Sequence, residues 1–486
     1  MNSLRSKLSV QFVVTNASTV VSFGLSMYLA RILAPAEIGI FSIAAVLASF
    51  VHVFRDFGVV SFVRSEKNLT PEVLRTAMGV MMTASWVFGA VVFFAAPYAA
   101  AYYAQPGIAS VLRVLGVGFF FIPFGSIPQA VLGRELDVRK ATIVTGVSTV
   151  AYAGTCVVLA NLGFSYMAFA WANLVNIMAC AVTYSLLRPA GLPWMPSLKG
   201  WRRIVHFGGG SILTNALRAI DLAVPDLMLS KMSGASAVGL FSRANSTVNI
   251  LNYITTPTIH YAALPYLAKA HHEGNDVAGK IRTAVAYLTG VIWPALAITA
   301  VLAHDIVSFL YGALWLDCAV VIPLLCAANA IQMMFYVLLP SFTGVGRPYL
   351  VALPLTLGVL VKIIAALSLF DGTLISFAKA YLLGEVATIP VYLYLARLHL
   401  NVSYRAWFGS IVRSAAATAM VLGAFLLVYP LLQRIDLLVL RLGAAGILWL
   451  LVWVAAIVLV RHPLCDELQR LRDVVRQKRA LAAKSA

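Results

Sequence analysis

Long apolar runs recur along the whole chain. Hydrophobic residues make up 61% of the 486 residues and charged residues only 11%, whereas a soluble domain carries about 25% charge. Runs of about 18 or more apolar residues with few charges are long enough to cross a bilayer as helices, and the strict alternation of a membrane β-barrel is absent. The sequence therefore predicts an all-α integral membrane protein.

The apolar runs predict about fourteen transmembrane helices. Their approximate limits are 10–30, 38–62, 77–103, 109–131, 141–161, 165–187, 207–230, 237–267, 282–303, 318–341, 348–369, 373–395, 408–430 and 438–460.

The basic residues give the chain an orientation. If the N-terminus is cytoplasmic, about 26 of the 36 lysines and arginines fall in predicted inner segments and about five in predicted outer ones. Because cytoplasmic loops are enriched in basic residues, we expect an even number of spans with both termini in the cytoplasm. The net charge of +18 then faces an anionic inner leaflet. Membrane lipids, and not nucleic acids, are therefore the expected partners of these charges.

Two stretches 200 residues apart have the same layout. Leu29–Ser42 reads LARILAPAEIGIFS, and Leu229–Ser242 reads LSKMSGASAVGLFS. Each contains the end of one apolar span, a basic residue, a short loop of small residues and a Gly-x-Phe-Ser sequence that opens the next span. Six crossings separate the copies, so both lie on the same side of the membrane. The repeat is therefore predicted to be parallel.

The repeat also predicts the domain organisation. We expect two parallel six-helix lobes at 1–200 and 201–400, an extra pair of transmembrane helices at 401–460 and a basic cytoplasmic tail at 461–486. The tail fits either an amphipathic helix on the inner leaflet or a solvated segment that enforces topology. Internal duplication is typical of secondary transporters, whose substrate path lies between the repeats.

Motifs of catalysis are absent from the sequence. It contains no phosphate-binding glycine loop, HExxH, GxSxG or paired-cysteine metal pattern, and its loops are too short for a folded extramembrane domain. We therefore expect a protein that is not an enzyme, with no catalytic residue, metal or cofactor. Transport by such a chain would be driven by a gradient or the membrane potential.

Ionisable residues inside the predicted spans are candidate site residues, since charges at membrane depth are costly and face a cavity or a partner. The candidate substrate-binding cations are Arg55, Arg218, Arg243 and Lys362, and the candidate ion-coupling or counter-ion residues are Asp56, Asp221 and Glu385. Arg218 and Asp221 are three residues apart and can meet on one helix face. Glu385 is either a cross-helix partner of Lys362 or a proton carrier. Each cation therefore has two interpretations, as a cavity residue that binds an anionic substrate or as part of a structural ion pair.

Three asparagines share one face of the predicted eighth span. Asn245, Asn249 and Asn252 are spaced by four and three residues, which places them on one side of a helix. This face predicts a hydrated path that hydrogen-bonds sugar hydroxyls, and it also fits hydrogen bonding between packed helices. The first repeat copy runs instead into apolar Ile43–Leu47. The second half is therefore the preferred place for substrate contacts.

Five segments carry a family resemblance. They are Tyr28–Ala44 (YLARILAPAEIGIFSIA), Asp56–Ala77, Pro128–Thr142, Val238–Lys269 and Gly344–Val351. They resemble the polysaccharide transporter family, the Wzx-type lipid-linked oligosaccharide flippases of the MOP superfamily, and the resemblance covers most of residues 5–400.

The resemblance implies a function and a set of partners. It implies a flippase of the bacterial inner membrane that translocates an undecaprenyl-diphosphate-linked oligosaccharide unit for O-antigen, capsule or exopolysaccharide synthesis, by alternating access of two lobes. It also implies a polysaccharide polymerase and a chain-length regulator as partners. The cations that would meet the diphosphate or acidic sugars are Arg55, Arg218, Arg243 and Lys362.

Two other functions stay open from the sequence. One is a multidrug or metabolite antiporter of the same superfamily, although such proteins usually stop at twelve spans. The other is a membrane glycosyltransferase or polymerase, against which the short loops argue.

Overall fold

The computed structural model describes residues 2–56, 58–66, 68–135, 137–188, 192, 195–250, 252, 276–344 and 347–465. These residues form helices joined by short connections, with no strand among them. Contacts divide the chain into two compact units, Met1–Arg243 and Ala244–Ala486. The predicted lobe boundaries at 200 and 400 stay a prediction, and the predicted amphipathic tail lies outside the described residues.

The first unit contains eight helices and the start of a ninth. They are α1 (Asn2–Ile32), α2 (Pro35–Asp56), α3 (Val59–Ser65), α4 (Pro71–Tyr102), α5 (Pro106–Arg134), α6 (Val138–Asn161), α7 (Met167–Leu186), α8 (Trp201–Ser233) and α9 (235–250). α5 packs against α4 and α7, and α6 packs against α1 and α7. A core of buried side chains from α3, α4 and α5, among them Phe62, Met81 and Ile127, holds this unit together.

The second unit continues with the remaining helices. They are α10 (Val277–Val301), α11 (Ala303–Leu310), α12 (Ile322–Phe335), α13 (Leu338–Gly344), α14 (Ala352–Leu369), α15 (Leu374–Leu400), α16 (Tyr404–Leu432) and α17 (Leu438–Leu459), with short 3-10 helices at Ala313–Val321 and Pro348–Val351. α14 packs on α15, and α10 packs on α12 and α16. Stacked Phe335, Tyr392 and Trp407 lie in its core.

Twelve of the described helical segments are long and apolar enough to cross a bilayer. The protein is therefore a multi-pass membrane protein, and the predicted all-α membrane class is confirmed. α8 overlaps the predicted seventh span, but polar and charged residues such as Arg218, Asp221 and Asp226 keep it out of the twelve. Most of the predicted eighth span lies outside the described residues. The number fourteen therefore stays a prediction.

The predicted second span, 38–62, is two helices instead of one. α2 ends at Asp56 and α3 begins at Val59. Gly58 precedes α3 with φ 66°, in the left-handed region that glycine adopts without strain. The apolar run continues across this break, so hydropathy alone does not detect it.

The two repeat copies touch each other within the first unit. A Cβ on Gly39 would overlap the carbonyl oxygen of Ala235, and a Cβ on Gly239 would overlap that of Pro35. Further along the same helices, the Oγ atoms of Ser42 and Ser242 are 3.5 Å apart. The Gly39–Ala235 contact recurs 200 residues along the chain as the Gly239–Pro35 contact, and Ser42 meets Ser242, its equivalent in the other copy. α2 and α9 therefore cross backbone to backbone about a local pseudo-two-fold axis.

The chain after α17 is anchored by a buried histidine. His462 Nδ1 accepts from the Leu464 N–H at 3.2 Å, so the ring proton lies on Nε2, which donates to Ser414 Oγ of α16 at 3.0 Å. Thr289 of α10 also donates to Ser414 Oγ, at 2.8 Å. Burial, followed by the nearby Arg413 charge, lowers the pKa of His462 below its ordinary value of 6.5.

We expect the stability of this anchor to depend on pH. Since the folded pKa is lower than the unfolded one, the unfolded chain binds more protons below about pH 6.5, and stability is lost as the pH falls through that value. The denaturation temperature of the purified protein should therefore drop between pH 7.5 and pH 5.5. The drop should be smaller for His462→Gln, whose amide can still donate and accept. Exposed His304 gives the control His304→Gln, and an equal drop in both variants would contradict the assignment.

Candidate functional site

A cation and an aromatic ring meet between α2 and α5. His52 stacks on Phe119 with ring centroids 4.3 Å apart, and the Arg55 guanidinium lies 5.9 Å from the same ring centroid. A cation near a ring face is stabilised by the ring quadrupole, so Arg55 is held at partial burial on α2. The backbone of Asp56 ends α2, but its side chain lies outside the described residues.

Arg243 is a buried cation on α9. Its side chain is 7% exposed, and its Nη1 donates to the Ser26 hydroxyl of α1. Ser26 of α1 therefore contributes to the surroundings of Arg243. A guanidinium in such a place keeps its charge and provides a fixed positive charge inside the first unit.

The predicted meeting of Arg218 and Asp221 is not seen in α8. Arg218 is exposed and Asp221 half-buried, and the ion pairs among the described residues do not include one between them. Spacing of three residues permits contact but does not require it, because both side chains have other rotamers.

Four asparagines of the second unit form one hydrogen-bonded cluster. Asn249 Nδ2 donates to the carbonyl oxygen and to Oδ1 of Asn245, at 2.9 and 2.8 Å. Asn252 Nδ2 and Asn329 Nδ2 both donate to Asn249 Oδ1, at 2.6 and 3.4 Å. The structure thus brings together the three predicted asparagines and adds Asn329, which is 5% exposed on α12.

Lys362 and Glu385 form a buried ion pair between α14 and α15. Lys362 Nζ lies 2.6 Å from Glu385 Oε1, and both side chains are less than a tenth exposed. Gln332 of α12 donates to the same carboxylate oxygen at 2.9 Å, and the ammonium lies 4.4 Å from the ring centroid of Tyr381. Gly384 provides the room, since a Cβ there would overlap the Lys362 stem. Glu385 is thus a cross-helix partner of Lys362, and its role as a proton carrier stays a prediction.

Asn329, Gln332 and Tyr381 were missed from the sequence. Asn329 and Gln332 are three residues apart in α12, which is otherwise apolar as IPLLCAANAIQMMF. Two amides on one face of an apolar helix were the signal that could have placed them near a polar cluster.

The site residues thus differ in chemistry between the two units. In the first, Arg55 and Arg243 contact a ring or a hydroxyl group. In the second, amides form a network, and the cation Lys362 is neutralised by Glu385. The arrangement provides positive charge on one unit and neutral hydrogen-bonding groups on the other.

A family model described as "Polysaccharide biosynthesis protein" matches residues 28–320, more than half of the chain. The chain belongs to this family. The match includes both copies of the repeat and the candidate residues from Arg55 to Asn252. It confirms the family resemblance of the sequence.

Relatives of this chain come from several bacteria. The succinoglycan biosynthesis transport protein ExoT of Rhizobium meliloti (strain 1021) is 22% identical over 338 residues, 67% of this chain and 67% of that one. The teichuronic acid biosynthesis protein TuaB of Bacillus subtilis (strain 168) is 20% identical over 76% of this chain and 77% of its own. The lipopolysaccharide biosynthesis protein WzxC of Escherichia coli (strain K12) is 22% identical over 65% of each.

Solved structures show the fold of this family member. The lipid II flippase MurJ in an inward closed conformation matches with a TM-score of 0.71 and 11% identity, over 92% of this chain and 99% of that one. An inward-facing multidrug resistance MATE transporter of the MOP superfamily matches with a TM-score of 0.58 and 16% identity, over 81% and 98%. The chain therefore shares the fold of these two proteins.

Proposed function

We propose that this protein is a flippase that translocates an undecaprenyl-diphosphate-linked oligosaccharide unit across the bacterial inner membrane, by alternating access of two lobes. Membership in the polysaccharide biosynthesis family on a transporter fold carries the proposal. The unit is used for O-antigen, capsule or exopolysaccharide. Both termini are cytoplasmic, and a polysaccharide polymerase and a chain-length regulator act with the protein.

The candidate residues take separate roles in this proposal. Arg55, Arg218 and Arg243 attract the diphosphate or acidic sugars, because guanidinium groups recognise phosphate and carboxylate oxygens well. The asparagine cluster at 245, 249 and 252 binds sugar hydroxyls. Lys362 is a further substrate-binding cation, paired with Glu385 in this structure. Asp56, Asp221 and Glu385 are the groups through which an ion gradient is coupled to transport.

The antiporter alternative has support from the MATE fold match. Two observations favour the flippase over it. The family model and the curated relatives belong to polysaccharide biosynthesis, and α16 and α17 are both present as candidate spans, as the extra helix pair requires.

Deletion of the gene should abolish the surface polysaccharide and leave complete lipid-linked units in the inner leaflet. A glycosyltransferase or polymerase defect would instead leave incomplete or flipped units, so the composition and sidedness of the accumulated lipid decide between the functions. The wild-type gene should restore the polysaccharide. If Arg218 binds the substrate, the Arg218→Ala variant should reach the wild-type protein level in the deletion strain but should not restore export of the polysaccharide.

Controls accompany the complementation. The exposed Arg434 gives Arg434→Ala, which should restore export fully. Normal polysaccharide in the deletion strain would overturn the flippase proposal. Recovery of export by Arg218→Ala alone would show that Arg218 does not bind the substrate. Recovery only when Asp221 is removed as well would assign Arg218 a structural role.

A further inference from the structure

The hydrogen bonds within the asparagine cluster of the second unit all run in one direction. Each amide donates toward Asn245: Asn249 Nδ2 donates to Asn245, and Asn252 and Asn329 donate to Asn249 Oδ1. A carboxamide has two donor hydrogens and one acceptor oxygen. Asn252 and Asn329 each use one donor hydrogen inside the cluster, and their oxygens accept no hydrogen bond within it.

Those two oxygens are buried and unsatisfied. Oδ1 of Asn252 and Oδ1 of Asn329 have almost no accessible surface and accept no hydrogen bond from any described residue. A buried acceptor without a partner costs free energy, and such groups are rare in native structures.

We propose that Asn252 and Asn329 form a subsite for the hydroxyl groups of a neutral sugar, which donate to the two amide oxygens. This rests on the proposed function and specifies which part of the substrate the second unit receives. Carbonyl oxygens bear partial negative charge, so they repel phosphate or carboxylate oxygens and accept O–H donors. The diphosphate is therefore expected away from this subsite, on the cationic residues.

Asn329 is the specificity residue of this subsite. It lies on α12, whereas Asn245 and Asn249 lie on α9 and Asn252 follows it, so Asn329 fixes the second oxygen relative to the first. A site built to accept hydrogen bonds discriminates strongly against an analogue that cannot donate them, because its buried acceptors are then left unpaired. We therefore expect preference for free hydroxyls over their methyl ethers.

The test measures binding to the full-length protein in lipid nanodiscs. The probes are polyprenyl diphosphate, polyprenyl-diphosphate-linked N-acetylglucosamine and the same glycolipid with its sugar hydroxyls O-methylated. The wild-type protein should bind the free-hydroxyl glycolipid about tenfold more tightly than the methylated one, the effect of leaving buried acceptors unpaired. Asn329→Leu and Asn252→Leu should lose this preference and bind polyprenyl diphosphate as the wild type does.

A matched variant and a stability measurement separate binding from packing. Asn176 of α7 donates to the Ser148 carbonyl of α6 at 2.9 Å, so Asn176→Leu removes an interhelical hydrogen bond and should keep the hydroxyl preference. Asn329→Leu removes an unsatisfied oxygen, so it should denature at or above the wild-type temperature without ligand. If Asn329→Leu denatures well below the wild-type temperature and keeps the preference for free hydroxyls, Asn329 contributes only to packing. That result would overturn the subsite.

The remaining outcomes distinguish the subsite from the flippase proposal. Absence of binding to every polyprenyl diphosphate probe would count against the proposed function itself. Equal binding of the free and methylated glycolipids would overturn only the subsite. The wild-type protein could instead bind sodium or tetraethylammonium, show no hydroxyl preference, and lose this binding in Asn329→Leu. That result would replace the sugar subsite with a cation site.

Discussion

Glu385→Gln should lower the free energy of unfolding by about 3–5 kcal/mol, the cost of leaving one partner of a buried ion pair without the other. In the variant, the Lys362 ammonium stays buried at 4% exposure beside a neutral amide. Gln332 donates to Glu385 as well, so the new amide must also rearrange its hydrogen bonds. A fall in denaturation temperature in detergent, measured by tryptophan fluorescence, reports the change.

The double variant Lys362→Met, Glu385→Gln should recover most of this stability, because no uncompensated charge remains. Glu135→Gln changes an exposed carboxylate and should be neutral. A Glu385→Gln protein as stable as the wild type would show that Lys362 does not depend on Glu385 for its charge.

Export by the double variant separates the two roles of Glu385. If the pair only holds α14 on α15, restored stability restores export of polysaccharide. If Glu385 couples an ion to transport, the double variant is stable and inactive.

Part of this cluster could be predicted from the sequence. Lys362 and Glu385 lie in consecutive apolar spans joined by a short loop, so adjacent helices and an ion pair were an expected alternative. The contribution of Gln332 and Tyr381 depends on how α12 packs on α15, which no local pattern specifies. For the same reason Asn329 was missed, since its role depends on α12 lying against α9.

Local backbone geometry also limited how well the helices could be predicted from the sequence. The apolar run at 38–62 predicts one span, but the left-handed Gly58 separates α2 from α3. The repeat, in contrast, was recognised from its layout, and the structure adds that its copies contact each other through Gly39 and Gly239. Identity between the copies is low, so their direct contact follows only from the packing.

Gly239→Leu should lower the free energy of unfolding by about 3 kcal/mol or more, because the new side chain forces α9 away from α2. Even its Cβ would overlap the Pro35 carbonyl oxygen and lie 3.2 Å from the Gly39 nitrogen. Backbone atoms cannot move aside as a side chain does, so the crossing itself must open. Denaturation temperature and membrane protein level measure the effect, and Gly39→Leu should match it through the repeat-related contact with Ala235.

The pseudo-two-fold crossing makes the two substitutions strongly coupled. Once Gly239→Leu has separated the helices, Gly39→Leu meets an opened gap, so the double variant should cost clearly less than the sum of the singles. Gly146 of α6 has nothing within 4 Å of an added Cβ, so Gly146→Ala should be neutral or slightly stabilising by its better helix propensity. Additive costs would mean that the two glycines are packed independently, and neutral single variants would mean that α2 and α9 do not cross at these residues.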